Sequence, residues 1–487
     1  MDFMGFPPEL RLSIAEVMDP RDCYHLARTC RNNHGLLRSL LATHESLHRR
    51  YSTLDANNAG RLIWEVTKDA IENPKIARHI KDISLPGTRQ KNWHIRSEPR
   101  PSSRAVVPVD LYVNTAKQIP ILRDVVDEFC DLDASFHDWD WTWTASAEIG
   151  WDLSIVTLLL AMAMNLETLR FEVSSGSPDE LEDFVRRISL AYQDPDNSLS
   201  LPFQHLTTVA MTLTDSSRTG FSPRWTVCFL RIPTLRRLAC WGMGGTLDQY
   251  DDPTSADDDF IRNTFHFSEE QAKQSPDYRR SEVEELCFFN SYVHHATMQH
   301  IISSTKALKR FTYDSYVINR NGDFAPRAAA LELVKYAADS LEELVIVCDH
   351  YFYDHFSSQA SLREFKKLKK LRCPWNFLVD TGKEQHGCGF VGAPLVDLAK
   401  FLPPSLEVLH FGQGDEDDYD TLEYLVMQKE TALPNLKKIC FDELPPSLRE
   451  DDFIERLLPE KGIEYFQCDE SCINPLRKLL YPEIVII

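Results

Sequence analysis

The sequence predicts an α/β chain: a small helical N-terminal module, then an irregular solenoid of strand-plus-helix units, with parallel strands on the concave face and helices on the convex face. Three observations lead there. Leu341, Leu344 and Ile346 put apolar residues at i, i+3 and i+5, and from Leu344 onward the period is two, as a strand requires. The same triplet recurs along most of the chain, with amphipathic helical runs in many of the gaps. One such strand buries too little to be stable alone, but a stack of units builds a continuous core. Finally, residues 1–50 carry seven Arg against six Asp or Glu, whereas the remainder has a net charge of −22.

The N-terminal module opens on Phe6-Pro7-Pro8-Glu9-Leu10. A helix follows with Leu10, Ile14 and Val17 on one face. Asp19-Pro20 supplies an N-cap and first position for a second helix, whose stripe is Cys23, Leu26, Ala27 and Cys30. A third starts near Asn33 and carries Leu36, Leu37, Leu40 and Leu41. Three short helices enclose a small core, so apolar surface is left for a partner. Phe6, Pro7, Glu9, Leu10, Ile14, Val17, Asp22, Leu26 and the pair Cys30-Arg31 resemble, in order and spacing, the F-box; the match covers residues 3–45. The resemblance implies a helical module that docks on the Skp-type adaptor of a cullin-RING ubiquitin ligase, with Phe6, Pro7, Glu9, Leu10, Ile14, Val17 and Leu26 as the adaptor-binding residues. The alternative is a plain helical cap on the solenoid.

Residues 51–150 form a linking region. Leu62, Ile63, Val66 and Ala70 mark a helix, Asn73-Pro74 ends it, and Ile80, Ile83 and Leu85 form the first triplet. This order also looks like the segment after the F-box in many fungal F-box proteins. Residues 86–108 are rich in Pro, Ser and Arg and read as a loop. A helix from Ile121 to Leu132, the cluster Trp139, Trp141, Trp143 and Trp151, and a helix from Asp152 to Met164 follow.

The third region, 151–487, carries triplets starting at Leu166, Leu206, Leu235, Val283, Leu308, Leu341, Leu368, Leu406, Leu436 and Ile463, each with apolar residues three and five places on. Helices are predicted at 179–192, 294–304, 326–338, 394–402, 419–429 and 451–458; in the run just before Leu341, Leu331, Val334 and Lys335 share one side. The array, over 80–85 and 150–470, resembles the leucine-rich repeat family stretched by insertions, since such units run about 20–29 residues. An ordinary α/β sheet is the alternative architecture. The largest insertion, 243–281, holds Asp248, Asp251, Asp252, Asp257, Asp258 and Asp259 and reads as a solvated loop or a trap for a basic segment.

With 487 residues, 43% of them hydrophobic and 26% charged, the composition is globular. The net charge of −21 opposes nucleic acid and anionic membranes and favours basic partners. Twelve Cys contain no CxxC pair, and Cys240, Cys373 and Cys468 fall where a strand wants a small buried residue, so reduced thiols in cytoplasm or nucleus are expected. No signal peptide is read at the N-terminus, and the longest apolar run, Ile155 to Met164, is too short for a bilayer.

Motifs for chemistry are weak. Gly387 to Gly392 spells G-x-G-x-x-G without the strand that a dinucleotide site needs before it. Asp415, Asp417 and Asp420 lack the remaining calcium-hand positions, and His294, His295, His300, His350 and His355 lack zinc spacing. Neither catalysis nor a cofactor or metal is expected. The concave surface should be lined by residues two, four and six places after each triplet start, including Arg170, Arg237, Trp241, Glu285, Phe289, Arg310, Asp314, Arg372 and His410. Trp241 and Phe289 would face solvent as a hot spot with Glu285 and Arg310 as rim, unless insertion 243–281 covers them. Arg170, Trp241, Glu285, Phe289, Arg310, Asp314 and Arg372 are thus the expected target-binding residues. Together these readings suggest a substrate-recognition subunit of a Skp-cullin-F-box type ubiquitin ligase with a protein target. The rivals are a leucine-rich-repeat scaffold without a ligase and, more remotely, an α/β enzyme with a nucleotide at 387–392.

Overall fold

The structure, a computed structural model, describes residues 5–55, 60–85, 109–123, 143, 152–173, 180–194, 201–213, 220–245, 269–315, 326–348, 361–378, 398–412, 419–442 and 456–467. The chain divides into two compact units, Met1–Val209 and Ala210–Ile487. Both are α/β, and every strand pairing described is parallel.

The first unit begins with helices α1 (Pro8–Val17), α2 (Pro20–Thr29) and α3 (Arg31–Tyr51). Pro8 and Pro20 occupy first-turn positions, where a missing N–H costs nothing, and the Asp19 side chain accepts from Arg21 N at the second N-terminus. Ala15, Cys23, Ala27, Leu37 and Leu40 form a core of their own, with Leu12, Met18, Leu26, Leu36 and Leu41 packed around it. Helix α3 has 21 residues and ends on buried Tyr51, whose hydroxyl donates to Asp69 Oδ2 at 2.8 Å. It leads straight into β1 (Thr53–Asp55), a strand with no triplet to announce it, because Leu54 alone faces inward. Strands β2 (Asp82–Leu85) and β3 (Thr168–Val173) continue the order, with Leu54 beside Ile83 and Ile83 beside Leu169.

Helices α4 (Gly60–Glu72), α5 (Val109–Gln118), α6 (Asp152–Met162) and α7 (Glu180–Gln193) complete this unit. Helix α6 is buried all round except at its last residue: apolar residues occupy every side of it, and Asp152, Ser154 and Thr157 are enclosed among them. Its Asp152 accepts from Trp64 Nε1 at 2.8 Å, and Thr157 Oγ1 accepts from Trp143 Nε1 at 3.2 Å. Helix α5 carries no signal recognised in the sequence. The expected helix at 121–132 and Trp139, Trp141 and Trp151 lie wholly or mostly outside the described residues.

Strand β4 (Thr208–Leu213) crosses the boundary between the units. In the second unit β5 (Arg237–Trp241), β7 (Glu285–Phe289), β9 (Arg310–Ser315), β10 (Glu343–Cys348), β11 (Lys370–Cys373), β12 (Val408–Phe411), β13 (Lys438–Phe441) and β14 (Glu464–Gln467) stand in chain order. The short β6 (Gly244–Gly245) and β8 (Tyr292–Val293) pair separately. The second residue of each triplet meets that of the next: Leu238, Leu286, Phe311, Leu344, Leu371, Leu409 and Ile439 form one row. All seven are buried, as are Leu341 and Ile346, while Val345 and Val347 on the other face are half-buried. The helices of this unit include α8 (Arg224–Leu230), α9 (Glu269–Gln274), α10 (His295–Ser304), α11 (Pro326–Ala337), α12 (Trp375–Leu378), α13 (Tyr419–Met427), α14 (Lys429–Ala432) and α15 (Leu458–Glu460).

One helix face is settled here, and one expectation changes. On α11 the shared side of Leu331 and Lys335 is the outer one; Ala330, Leu333, Tyr336 and Ala337 are buried, and so is Glu332. In β14 the inward row falls on Tyr465, which pairs with Ile439, so Phe466 points outward at 45% exposure under Lys438 Nζ. Ile463 is therefore followed by an inward residue after two places instead of three. The unit is one residue short, and a slip of one reverses every later side chain.

Strand entry also carries a pattern that the triplets concealed. The residue after each triplet start donates its N–H to the carbonyl of its counterpart in the preceding repeat: Glu284 to Arg236, Lys309 to Glu284, Glu342 to Lys309, Lys369 to Glu342, Glu407 to Lys369 and Lys437 to Glu407. The signs alternate without exception across this run. Lys309 pairs with Glu284 at 2.8 Å and Lys437 with Glu407 at 2.7 Å. Lys81 and Glu167 repeat the motif in the first unit, where Glu167 N donates to Lys81 O and the side chains lie 3.0 Å apart.

Candidate docking surfaces

Helix α1 presents an apolar row to solvent. Leu10, Ile14 and Val17 are 52%, 38% and 69% exposed, although Ala15 on the opposite side is fully buried. The cause lies in the small cross-section of three helices, which cannot cover both faces of α1. Pro7 is the N-cap residue, Pro8 starts the helix, and exposed Glu9 sits in the first turn, where its charge suits the helix dipole. Of the seven expected adaptor-binding residues, Pro7, Glu9, Leu10, Ile14 and Val17 are thus on the surface. Phe6 is half-buried, and Leu26 turns toward the helical core. Position 33 is filled by buried Asn33, which accepts from Arg11 Nη1 at 3.1 Å and donates to Thr29 Oγ1 at 3.0 Å.

The expected hot spot is different. Phe289 is fully buried at 0% exposure, and Trp241 is half-buried against it, the rings 6.1 Å apart and 28° from parallel. They pack with Ala210, Ala239 and Cys287 into a second core on the face opposite the triplets. The signal was present in the sequence: Leu286-Cys287-Phe288-Phe289 and Leu238-Ala239-Cys240-Trp241 are continuous apolar runs, the mark of strands covered on both faces. Glu285 is buried as well and pairs with Arg310, whose side chain stays accessible. Neither residue forms a free rim around an exposed aromatic centre.

The remaining expected residues scatter. Arg170 lies in the first unit, beside Ser84, and Asp314 is half-buried at the end of β9. Arg372 joins a polar cluster that no sequence motif revealed: its Nη2 donates to both oxygens of Asp442, at 3.0 and 2.8 Å, and His410 Nε2 lies 2.7 Å from Asp442 Oδ1. Burial alone would raise the Asp442 carboxyl, but the His410 hydrogen bond and the Arg372 guanidinium hold it below the usual range. Because Asp442 satisfies both neighbours, the cluster fixes β11, β12 and the end of β13 together.

A deeper pair lies outside these surfaces. Asp277 accepts from Arg231 Nε at 3.0 Å and Nη2 at 2.7 Å, with His300 Nε2 3.6 Å away, all buried. Burial opposes the Asp277 charge, yet the adjacent His300 imidazole and the hydrogen-bonded Arg231 guanidinium hold its carboxyl well below the ordinary value. The Gly387–Gly392 stretch, Asp248 to Asp259, Asp415, Asp417, His350 and His355 lie outside the described residues. Among those described, no helix is long and apolar enough to cross a membrane. No family model matches the chain, and no curated protein matches it in sequence.

Proposed function

We propose that the chain is the substrate-recognition subunit of a Skp-cullin-F-box type ubiquitin ligase. The supporting observation is the exposed row Leu10, Ile14 and Val17 on a helix whose other side closes a compact three-helix core. A solvated apolar row of this kind is costly to leave bare and suits a protein partner. In this reading a Skp-type adaptor covers that row, and the repeats, of leucine-rich type, hold a protein target. The chain performs no chemistry of its own; it brings a target lysine near activated ubiquitin, and proximity supplies the acceleration.

The test is adaptor capture. Leu10→Asp with Ile14→Asp places two carboxylates where docking would desolvate them, without entering the helical core. Co-purification with a Skp-type adaptor should fall at least tenfold while the melting temperature stays within a few degrees of wild type. Unchanged capture by the folded double variant would remove the adaptor from the α1 face.

A further inference from the structure

Helix α3 meets the first repeat through two buried imidazoles. His44 Nδ1 lies 3.0 Å from Nε2 of His79, which sits in the 3-10 turn Ala77–His79 just before β2. His48 adds a third ring, its centroid 6.2 Å from that of His79. Of the two facing nitrogens, one must carry a proton and the other a lone pair. If both rings were cationic, N–H would face N–H. His44 Nε2 is itself buried with no hydrogen-bond partner, so a proton placed there has no acceptor.

The charges around the pair are mostly of one sign. Lys75 and Arg78 bear on His44, and Lys81 with His48 on His79; among the described residues, Asp19 is the carboxylate whose charge opposes them at both rings. Asp19 is already taken, accepting from Arg21 N at its own helix start and from Asn165 Nδ2. The same seam holds Arg78 Nη1 on the carbonyls of Val17 at 2.7 Å and Met18 at 3.1 Å.

We propose that the His44–His79 contact is an acid-sensitive latch. Neutral, it seats α3 on the first repeat; protonated, it loosens residues 31–51 from residues 77–85 while the strands of the second unit hold. Burial, then neighbouring positive charge, lowers both imidazoles, His79 to about 4. An unfolded histidine titrates near 6.5, so between roughly 6.5 and 4 the open chain binds more protons than the closed one. The latch is complete above that window and weakens as pH falls through it. The inference rests on this contact and is independent of what covers the Leu10 face.

Hydrogen exchange on the full chain at pH 7.0 and 5.0, corrected for intrinsic rates, tests it. Protection in 31–51 and 77–85 should drop at least tenfold relative to amides of β9 and β10. His79→Gln keeps a side-chain amide opposite His44 but cannot charge, and should remove most of that difference. Parallel loss in both regions, or the same acid response in the variant, overturns the latch. Should the variant fold poorly at neutral pH, histidine NMR on the wild type decides: ring signals of His44 and His79 that stay neutral at pH 5.5 support it, and titration of both near 6.5 rejects it.

Discussion

Asp277 is a residue whose value depends on its partners staying in place. A buried ion pair often stabilises little overall, but removing one member strands the other charge in a poor solvent. Asp277→Ala should therefore cost about 3–5 kcal/mol in chemical denaturation, through the uncompensated Arg231. Because the folded carboxyl is held below its unfolded value, its contribution is complete above about pH 4 and is lost as pH falls further. Phe289→Ala belongs at the same scale. A fully enclosed ring leaves a cavity when truncated, so its loss should cost about 3–5 kcal/mol and lower the melting temperature, whatever it does to binding. A Phe289→Ala protein as stable as wild type would mean that the second core collapses without penalty.

Strands and helices were legible in the sequence to different degrees. The inward phase of the strands was readable because period two leaves no third choice once Leu344 and Ile346 point the same way. Leu344→Asp should accordingly destabilise the protein by several kcal/mol, whereas Val345→Asp, on the half-buried face, should cost far less. Equal denaturation midpoints would refute that phase. What the triplets could not convey is the state of the opposite face, which is apolar and closed around Ala239, Cys287 and Phe289 in β5 and β7 but polar and partly open at β11 and β12. Strand β1 escaped notice because three residues offer one inward side chain. Helix α11 was assigned to the right segment, but its inward side was not legible, since Leu331 is apolar yet exposed and Glu332 is charged yet buried against His295. The cluster of Arg372, His410 and Asp442 was illegible for another reason: its members are up to 70 positions apart and meet only through the register of successive strands.

At the scale of the whole molecule, the N-terminal helices belong physically to the first unit. Beyond the histidine contact, Arg21 reaches Glu167, and Asp19 meets Asn165. Removing residues 1–51 should thus lower hydrogen-exchange protection in β2 and β3 while β9 to β12 remain protected; unaltered protection in β2 and β3 would show that the helices are an appendage. The strand-entry charges carry a further consequence, one of descent. From Arg236 to Lys437 the signs run plus, minus, plus, minus, plus, minus, plus. Deleting a single interior repeat would bring two like charges together at the new junction, while deleting two adjacent repeats restores alternation. Such an array has a parity: it can be lengthened or shortened without electrostatic conflict only in even steps. Duplication and loss in this lineage would therefore leave their trace in pairs of units.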